Sequence, residues 1–358
     1  MFNALEIDFI GVGKGSARSG DAIAMRFGNC ENGIWNSQFV IIIDGGDVQA
    51  GRNLVKLVKE TYNTDDVAIC ILTHPDADHA SGLRKVLNDL NVGNLWMHRP
   101  WHYWDDFKES IKDGRVTKKS FNERLKEAYQ FAYELEEIAL EREINIVHPH
   151  QGTYASYDDE PILTILGPGK ELYKSLIEAS DKTPRMSSRL GAISGLLEEE
   201  GAVFESMDFS TEHLSDENET TSAENDMSLI LHLTVANTRV LFTADAGTMG
   251  MYRAIAYALE NNIDLKKLNF FQVPHHGSRH NISKGILKYI YAPKAMISCA
   301  ENGVPNHPAA VVTNALLRRQ ITPFNTNGND VLWSFGMAPG RPGHTSMGAI
   351  PFQPWVDL

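Results

Sequence analysis

His74, Asp76, Asp78 and His79 stand within six residues of one another in Leu72-Thr73-His74-Pro75-Asp76-Ala77-Asp78-His79. Imidazole and carboxylate at that density suit a divalent cation, and zinc, manganese and iron all accept such donors. Without a cation, four such groups packed together would repel one another or strand polar atoms. The stretch follows Asp66-Val67-Ala68-Ile69-Cys70-Ile71, an apolar run that reads as a buried strand, so the four side chains sit where a strand gives way to a loop. Pro274-His275-His276-Gly277-Ser278 follows the strand-like Phe270-Phe271-Gln272-Val273 in the same way, and makes His275 or His276 a further candidate ligand. Asp245 closes Val240-Leu241-Phe242-Thr243-Ala244; taken alone, a carboxylate there is more often a turn or a cap. Asp44-Gly45-Gly46 closes a third apolar run, where two glycines let backbone approach and Asp44 could orient a ligand histidine from behind. Asn281 can cap a helix over 283–290, whose N-terminus with Ser278 and Arg279 would suit an anionic substrate group. His280 reads equally as a pocket or a surface residue. His307, in Asn306-His307-Pro308, precedes a helix over 309–318, where Pro in the first turn is routine.

The elements that must carry these residues alternate along the chain. Strands are expected at 5–10, 22–27, 39–43, 67–72, 145–147 and 162–166, and later at 228–233, 240–243, 270–273 and 295–299, with two short ones at the end. Helical patterns cover 50–62, 81–90, 120–143, 249–260, 283–290 and 309–318, with helical material reaching about 197. Two successive groups of strands, each followed by helices, suggest two sheets sandwiched between helices in one α/β domain.

At 358 residues with 42% hydrophobic content the chain can bury a substantial core. It has no apolar run of 18 residues, so no membrane span is expected, and its start lacks the regions of a signal peptide. Three cysteines, Cys30, Cys70 and Cys299, cannot all pair and are expected as reduced core residues of a cytoplasmic protein. Of the formal charge of -13, eleven units come from eleven Asp and Glu between Leu196 and Asp226, a segment without Lys or Arg. The remainder is near neutral, so bulk acidity does not exclude a polyanionic substrate. That acidic stretch reads as a solvated loop or flap, and as a surface for a protein partner.

Taken in order, these pieces resemble the metallo-β-lactamase fold superfamily, and within it the soluble hydrolase domain of the DNA-uptake protein ComEC. The matching elements are Val12-Gly13 with Gly20-Asp21-Ala22, Asp44-Gly45-Gly46, His74 to His79, Asn225-Asp226-Met227-Ser228, Asp245, His275 to Ser278, and Asn306-His307-Pro308. The first histidine box and Pro-His-His-Gly-Ser are the specific signals; the rest gain weight from order and spacing. The resemblance implies an αββα sandwich of two mixed β-sheets flanked by helices, a single domain over 1–358. Insertions are then expected at about 99–143, aromatic then helical, and at 185–226. It implies two divalent ions, Zn or Mn: His74 and Asp76 on one, Asp78, His79 and one of His275 or His276 on the other, with Asp245 bridging. Asp76 stands where most of the superfamily has histidine, which favours manganese somewhat. By the same carry-over, Asp78 or Asp245 orients a metal-bound hydroxide, and His307 with Ser278 contacts the phosphate or helps the leaving oxygen.

The implied function is a metal-dependent phosphodiesterase or nuclease, with DNA or RNA as the expected polymer substrate. A metallo-hydrolase of a lactone, thioester, β-lactam or small cyclic phosphodiester is the alternative, and a non-catalytic or partner-gated module is a third. Many relatives carry a further histidine where this chain has Leu166-Gly167-Pro168; His148 and His150 lie near but read as strand-end surface residues. The cluster Trp96, Trp101, His102, Tyr103, Trp104 reads either as a lid or as loop packing.

Overall fold

The computed structural model describes residues 2–16, 18–108, 116–183, 202–216, 219–303, 307–341 and 348–357. In the first half the strands are Ala4–Phe9 (β1), Ala22–Glu31 (β2), Ile34–Gly45 (β3), Asp66–Ile71 (β4), Asn91–Trp96 (β5), Asn145–Val147 (β6), Tyr154–Tyr157 (β7) and Glu160–Gly167 (β8). In the second they are Val203–Phe204 (β9), Ile230–Val235 (β10), Thr238–Phe242 (β11), Phe270–Gln272 (β12), Lys294–Ile297 (β13), Thr322–Asn325 (β14), Val331–Gly336 (β15) and Trp355–Val356 (β16).

One seven-stranded sheet runs β15-β1-β2-β3-β4-β5-β6 and another runs β14-β13-β12-β11-β10-β8-β7. Each is mixed: β3 to β6 pair in parallel in the first, and β11 to β14 in the second, with antiparallel strands beside them. Ile7, Phe9, Met25, Ile41 and Ile71 of the first sheet pack against Leu163, Leu231, Phe242 and Phe270 of the second. Cys70, Ile42 and Ala24 face instead the helices Val48–Lys56, Leu83–Asp89 and Gln130–Glu141. Phe271, Leu241 and Ile297 face Thr248–Glu260 and Ala310–Arg318. β4 therefore has apolar neighbours on both faces, which is why its sequence reads as a near-continuous apolar run. This is the expected αββα sandwich of two mixed sheets flanked by helices.

The departures trace mostly to contacts between segments distant in the chain. β5 was not expected because Asn91-Val92-Gly93-Asn94 lacks strand formers, yet β4 and β6 pair on either side of it. β7, Tyr-Ala-Ser-Tyr, is a short polar edge strand that its neighbour β8 holds by pairing. The helix expected over 120–143 is two, Lys118–Ala128 and Gln130–Glu141, broken at Tyr129 (φ -114, ψ 41). Tyr129 is buried, and its hydroxyl is tied to Ser180 and Glu224, which fixes the break by tertiary contact. The helix expected over 283–290 is only a short turn, Ile286–Lys288, with Gly285 pressed against the Tyr252 hydroxyl.

The acidic segment is only in part a solvated loop where it is described: Met207 and Phe209 are exposed, but other residues are anchored. β9 pairs with β16, and Glu205, Glu224 and Asp226 are buried. Residues 196–201 and 217–218 of that segment, and Asn306, lie outside the described residues, as does the whole stretch 184–197 expected as helical. Cys30, Cys70 and Cys299 are buried and unpaired. No helix among the described residues is long and apolar enough to cross a membrane.

Candidate metal centre

Both sheets deliver their ligand candidates from strand C-termini. β3 ends in Asp44-Gly45, β4 runs into His74 to His79, β11 into Asp245, and β12 into His275 and His276. The pairs β3 with β4 and β11 with β12 are parallel, so their ends lie together at one rim of the sandwich. Close packing of backbone makes the approach possible. A Cβ on Gly82 would lie 1.9 Å from the Gly45 carbonyl oxygen, so the loop after β4 rests directly on the end of β3. Gly277 has φ +83, and a Cβ there would meet Pro308 at 2.6 Å, which couples the second histidine loop to the His307 loop. Asp44, Ala244, His275 and His276 also adopt positive φ (56, 44, 46 and 55), a conformation costly for residues with a Cβ. Four such residues at one rim mark a backbone bent to aim side chains.

Each histidine has its ring fixed through Nδ1. Asp44 is fully buried and accepts from Thr73 N at 2.8 Å, Thr73 Oγ1 at 2.6 Å and His79 Nδ1 at 2.8 Å. A carboxylate only accepts, so Nδ1 of His79 carries the proton. Thr73 Oγ1, its own proton given to Asp44, accepts from His74 Nδ1 at 3.2 Å. His276 Nδ1 donates to the Ser298 carbonyl at 2.8 Å. Asn281 donates its amide to the Asp245 carbonyl, which leaves its oxygen to accept from His275 Nδ1 at 2.9 Å. Asn281 thus orients a histidine rather than capping a helix.

Four Nε2 atoms are in consequence free, and all face Asp245. Its Oδ2 lies 3.8 Å from His74, 3.5 Å from His79 and 3.7 Å from His275, and its Oδ1 lies 3.8 Å from His276. Nε2 of His74, His79 and His276 and Oδ1 of Asp245 are buried without a hydrogen-bond partner. These gaps are too long for good hydrogen bonds. Two ligands each about 2.0–2.2 Å from a shared ion stand roughly 3–4 Å apart, so the donors fit a cation between them. Within 4.8 Å of one another lie donor atoms of His74, His79 and Asp245, and again of Asp78, His79 and His276. Asp76 Oδ2 is 4.0 Å from His74 Nε2, while its other oxygen takes an ion pair from Lys182 at 2.8 Å.

The electrostatics point the same way. Asp21, Asp44 and Asp245 are all buried, and among the described residues none is paired with Lys or Arg. Burial raises Asp21 above the ordinary carboxylate range. Burial also pushes Asp245 upward, but His276, His79 and His275 outweigh it and hold the carboxyl well below. Burial works against a charged His79, yet Asp245 and Asp44 prevail and raise it well above an ordinary imidazole. His74 is lowered by burial and by His79. A site that pulls a proton onto one buried histidine while keeping its neighbour neutral is short of positive charge, which a divalent ion would supply.

Every expected ligand is therefore in one place: His74, Asp76, Asp78, His79, Asp245, His275 and His276, with Asp44 behind them. His276, not His275, joins Asp78 and His79, while His275 is the more exposed of the pair and faces the other side of Asp245. Ser278 is buried, its Oγ accepting from His280 N, and it lines a pocket of about 870 Å³ with His275, Arg279 and His307. Burial, His275 and His276 lower His307 to about 4, so its imidazole is neutral. Asp21, which the sequence shows only within the Gly20-Asp21-Ala22 element, groups with Asp245 and His276; a carboxylate directly before β2 is the one local signal of it. Lys182, the partner of Asp76, is singled out by no local pattern.

His148 and His150 belong to no group of candidate metal donors among the described residues, and they are half-buried rather than freely exposed. They are partly buried, held by Arg99 Nε (2.7 Å) and the Tyr103 hydroxyl (3.2 Å), and cluster with buried His98. The aromatic cluster is packing, not a lid: Trp101 is buried, with its Nε1 donating to Glu136 at 2.6 Å.

Residues 34–157, which include Asp44 and the first histidine box, match the sequence profile of the metallo-beta-lactamase superfamily. Among solved structures, similar ones include a diphosphatase of the PhnP family (10% identity, 94% of this chain and 100% of that one, TM-score 0.39). Yeast PDE1 (11%, 93% and 99%, TM-score 0.42) and Zn(2+)-bound PqqB from Methylobacterium extorquens (9%, 92% and 99%, TM-score 0.41) are others. At such identities and scores these three carry no weight for substrate or mechanism. Among curated proteins none matches the chain.

Proposed function

We propose that the chain is a metal-dependent hydrolase of phosphodiesters. The observation that carries the reading is the convergence of four Nε2 atoms on buried Asp245 at the edge of an open polar pocket. Residues 34–157 match a superfamily whose members are mostly metal-dependent hydrolases, and the resemblance of the order of motifs to ComEC-type domains favours a phosphodiester as the substrate. His74, Asp76 and Asp245 would hold one divalent ion, with His275 completing the set that the missing third histidine leaves short. Asp78, His79, His276 and Asp245 would hold a second. Such ions supply Lewis-acid charge for a phosphoryl oxygen and make water more acidic near neutral pH.

The chain's own groups do the rest. Asp78 is only partly buried, so its free oxygen can take a proton from attacking water. Arg279, in the pocket wall, is placed to hold a phosphate oxygen. His307, neutral and with a buried unpartnered Nδ1, is suited to hydrogen-bond the phosphate or the leaving oxygen rather than to arrive as a charged acid. The pocket also carries Glu301 and Asp357, so it is no continuous basic groove, and this favours a small phosphodiester or a chain end over a long polyanion.

The test is hydrolysis of bis(4-nitrophenyl) phosphate, a cyclic nucleotide, and single- and double-stranded DNA and RNA, each with manganese and with zinc, beside lactone and thioester substrates. Metal-dependent phosphodiester cleavage that Asp78→Ala and His276→Ala abolish is expected. Cleavage of only the lactone or thioester by folded, metal-loaded protein would transfer the reading to a small-molecule hydrolase.

A further inference from the structure

We propose that Trp355 is a stacking platform for the base of a nucleotide-type substrate, in the wall of the same pocket that His275 and His307 line; this rests on the phosphodiester reading above. The pocket of about 870 Å³ has His275 and His307 in its wall on the metal side, and Trp355, from the C-terminal β16, in another part of the same wall. Trp355 is 64% exposed, and its neighbour Phe204 52% exposed, the two rings meeting edge to face with centroids 5.5 Å apart. A large aromatic ring left open in the wall of such a pocket is what a flat ligand covers, and Phe204, which is not part of that wall, backs it by its edge.

The platform is rigid. β16 pairs with β9, setting Trp355 against Phe204 and Val356 against Val203. Glu205 N donates to the Pro354 carbonyl at 2.9 Å, and Asn314 brackets Gln353 with bonds to its N–H and C=O at 2.9 and 2.7 Å. Beneath, the fully buried Glu205 meets Arg318 at 3.1 Å and accepts from Asn314 at 2.8 Å. The carboxylates of the acidic segment thus include one that pins the C-terminal strand to the helix Ala310–Arg318. A backbone held so firmly presents the ring at a fixed place, so little main-chain freedom is lost when a base stacks on it. Asn325, the last residue of β14, and Asn327 just beyond it add amide groups that can pair with the edge of a base, and Arg279 adds a cation for its phosphate. A base on Trp355 and a phosphate at the histidines describe a nucleotide, free or at a chain end.

The test compares AMP, ribose 5-phosphate and a short oligonucleotide for binding to the manganese-loaded full chain by calorimetry, in wild type, Trp355→Ala and Trp355→Phe. Base stacking of this kind is worth roughly 5- to 150-fold in affinity. AMP is expected to bind at least about tenfold more tightly than ribose 5-phosphate, an advantage that Trp355→Ala removes and Trp355→Phe largely keeps. The oligonucleotide separates a chain end from a free nucleotide, and preference for either is consistent with the platform. Equal binding of AMP and ribose 5-phosphate, no binding of either, or an advantage that survives in Trp355→Ala would overturn it. A Trp355→Ala change that alters sedimentation but not the affinity ratio would assign the ring to a protein contact and overturn it too. Hydrolysis of bis(4-nitrophenyl) phosphate, run in parallel, separates the two readings. Its presence without the AMP advantage removes only the platform, and its absence with the advantage intact removes only the hydrolase.

Discussion

Asp44→Asn is the sharpest probe of how the metal centre is aimed. Asp44 touches no substrate; it accepts from Thr73 N, Thr73 Oγ1 and His79 Nδ1 at 2.8, 2.6 and 2.8 Å. Asparagine has nearly the same shape and tolerates the positive φ of 56 at this position, so the backbone need not move. Its amide, however, brings two donors where three donors already converge. Whichever way it turns, it faces either the Thr73 N–H or the His79 Nδ1–H with an N–H of its own. His79 escapes by moving its proton to Nε2, the atom that faces Asp245 and Asp78, and a protonated nitrogen cannot ligate. Loss of such an outer partner costs about 10- to 100-fold in metal affinity, or roughly 1.4–2.8 kcal/mol. Leaving a buried donor unsatisfied costs a further ~1–3 kcal/mol of stability. The assay is competition with a chromophoric chelator for zinc and manganese, alongside a thermal melt of the metal-free proteins. Asp44→Asn should melt lower and bind at least one ion about tenfold more weakly. A folded variant with unchanged affinity for both ions would refute the claim that Asp44 sets the His79 tautomer.

Glu205→Ala should destabilise the chain by about 3–5 kcal/mol, because it strands the buried Arg318 guanidinium, and Glu205→Ala with Arg318→Met should recover much of that loss. Denaturant melts decide it, and an equal loss in single and double variants would mean that the pair is not the cause. Acid should also weaken the fold well before the carboxylates titrate. Burial lowers His232 to about 4, from an ordinary 6.5, with Arg239 adding to it, and burial with Arg99 does the same to His148. Both fold as neutral imidazoles, so the unfolded chain binds the extra protons. Their stabilisation is whole above pH ~6.5, shrinks as pH falls, and stops changing below pH ~4. Between pH 7 and pH 5 His232 should cost about 2 kcal/mol, and the more solvated His148 less. Melts of wild type and His232→Leu across that range should converge toward pH 5; parallel curves would contradict the assignment.

Much of the site was legible because its ligands sit immediately after apolar strands, and a buried strand is the strongest short-range signal a sequence carries. His74 to His79 after β4, Asp245 after β11 and His275-His276 after β12 needed only that alternation to be placed at one rim. What could not be read is what depends on contact between distant segments. Asp21 enters the site because β2 lies beside β3, which its flanking residues do not declare. Lys182 reaches Asp76 across 106 positions of sequence. The acidic segment misled because composition alone says solvation, whereas Glu205 and Glu224 are buried by partners, Arg318, Tyr129 and Ser180, that lie far away in the chain. β5 escaped notice for a related reason, since its pairing on both sides outweighs weak local preference. The choice between His275 and His276 rested on backbone geometry at two residues with positive φ, which no pattern of letters encodes.

The central claim is that the histidines around Asp245 form one two-ion centre. It is tested most directly by counting metal in the full chain after chelation, reloading with manganese or zinc, and desalting, in wild type and in Asp245→Ala. The account predicts two ions per chain in the wild type and the loss of both together in a folded Asp245→Ala, since both sets of donors share that carboxylate. A wild type that retains no ion, or an Asp245→Ala variant that still retains two, would contradict it.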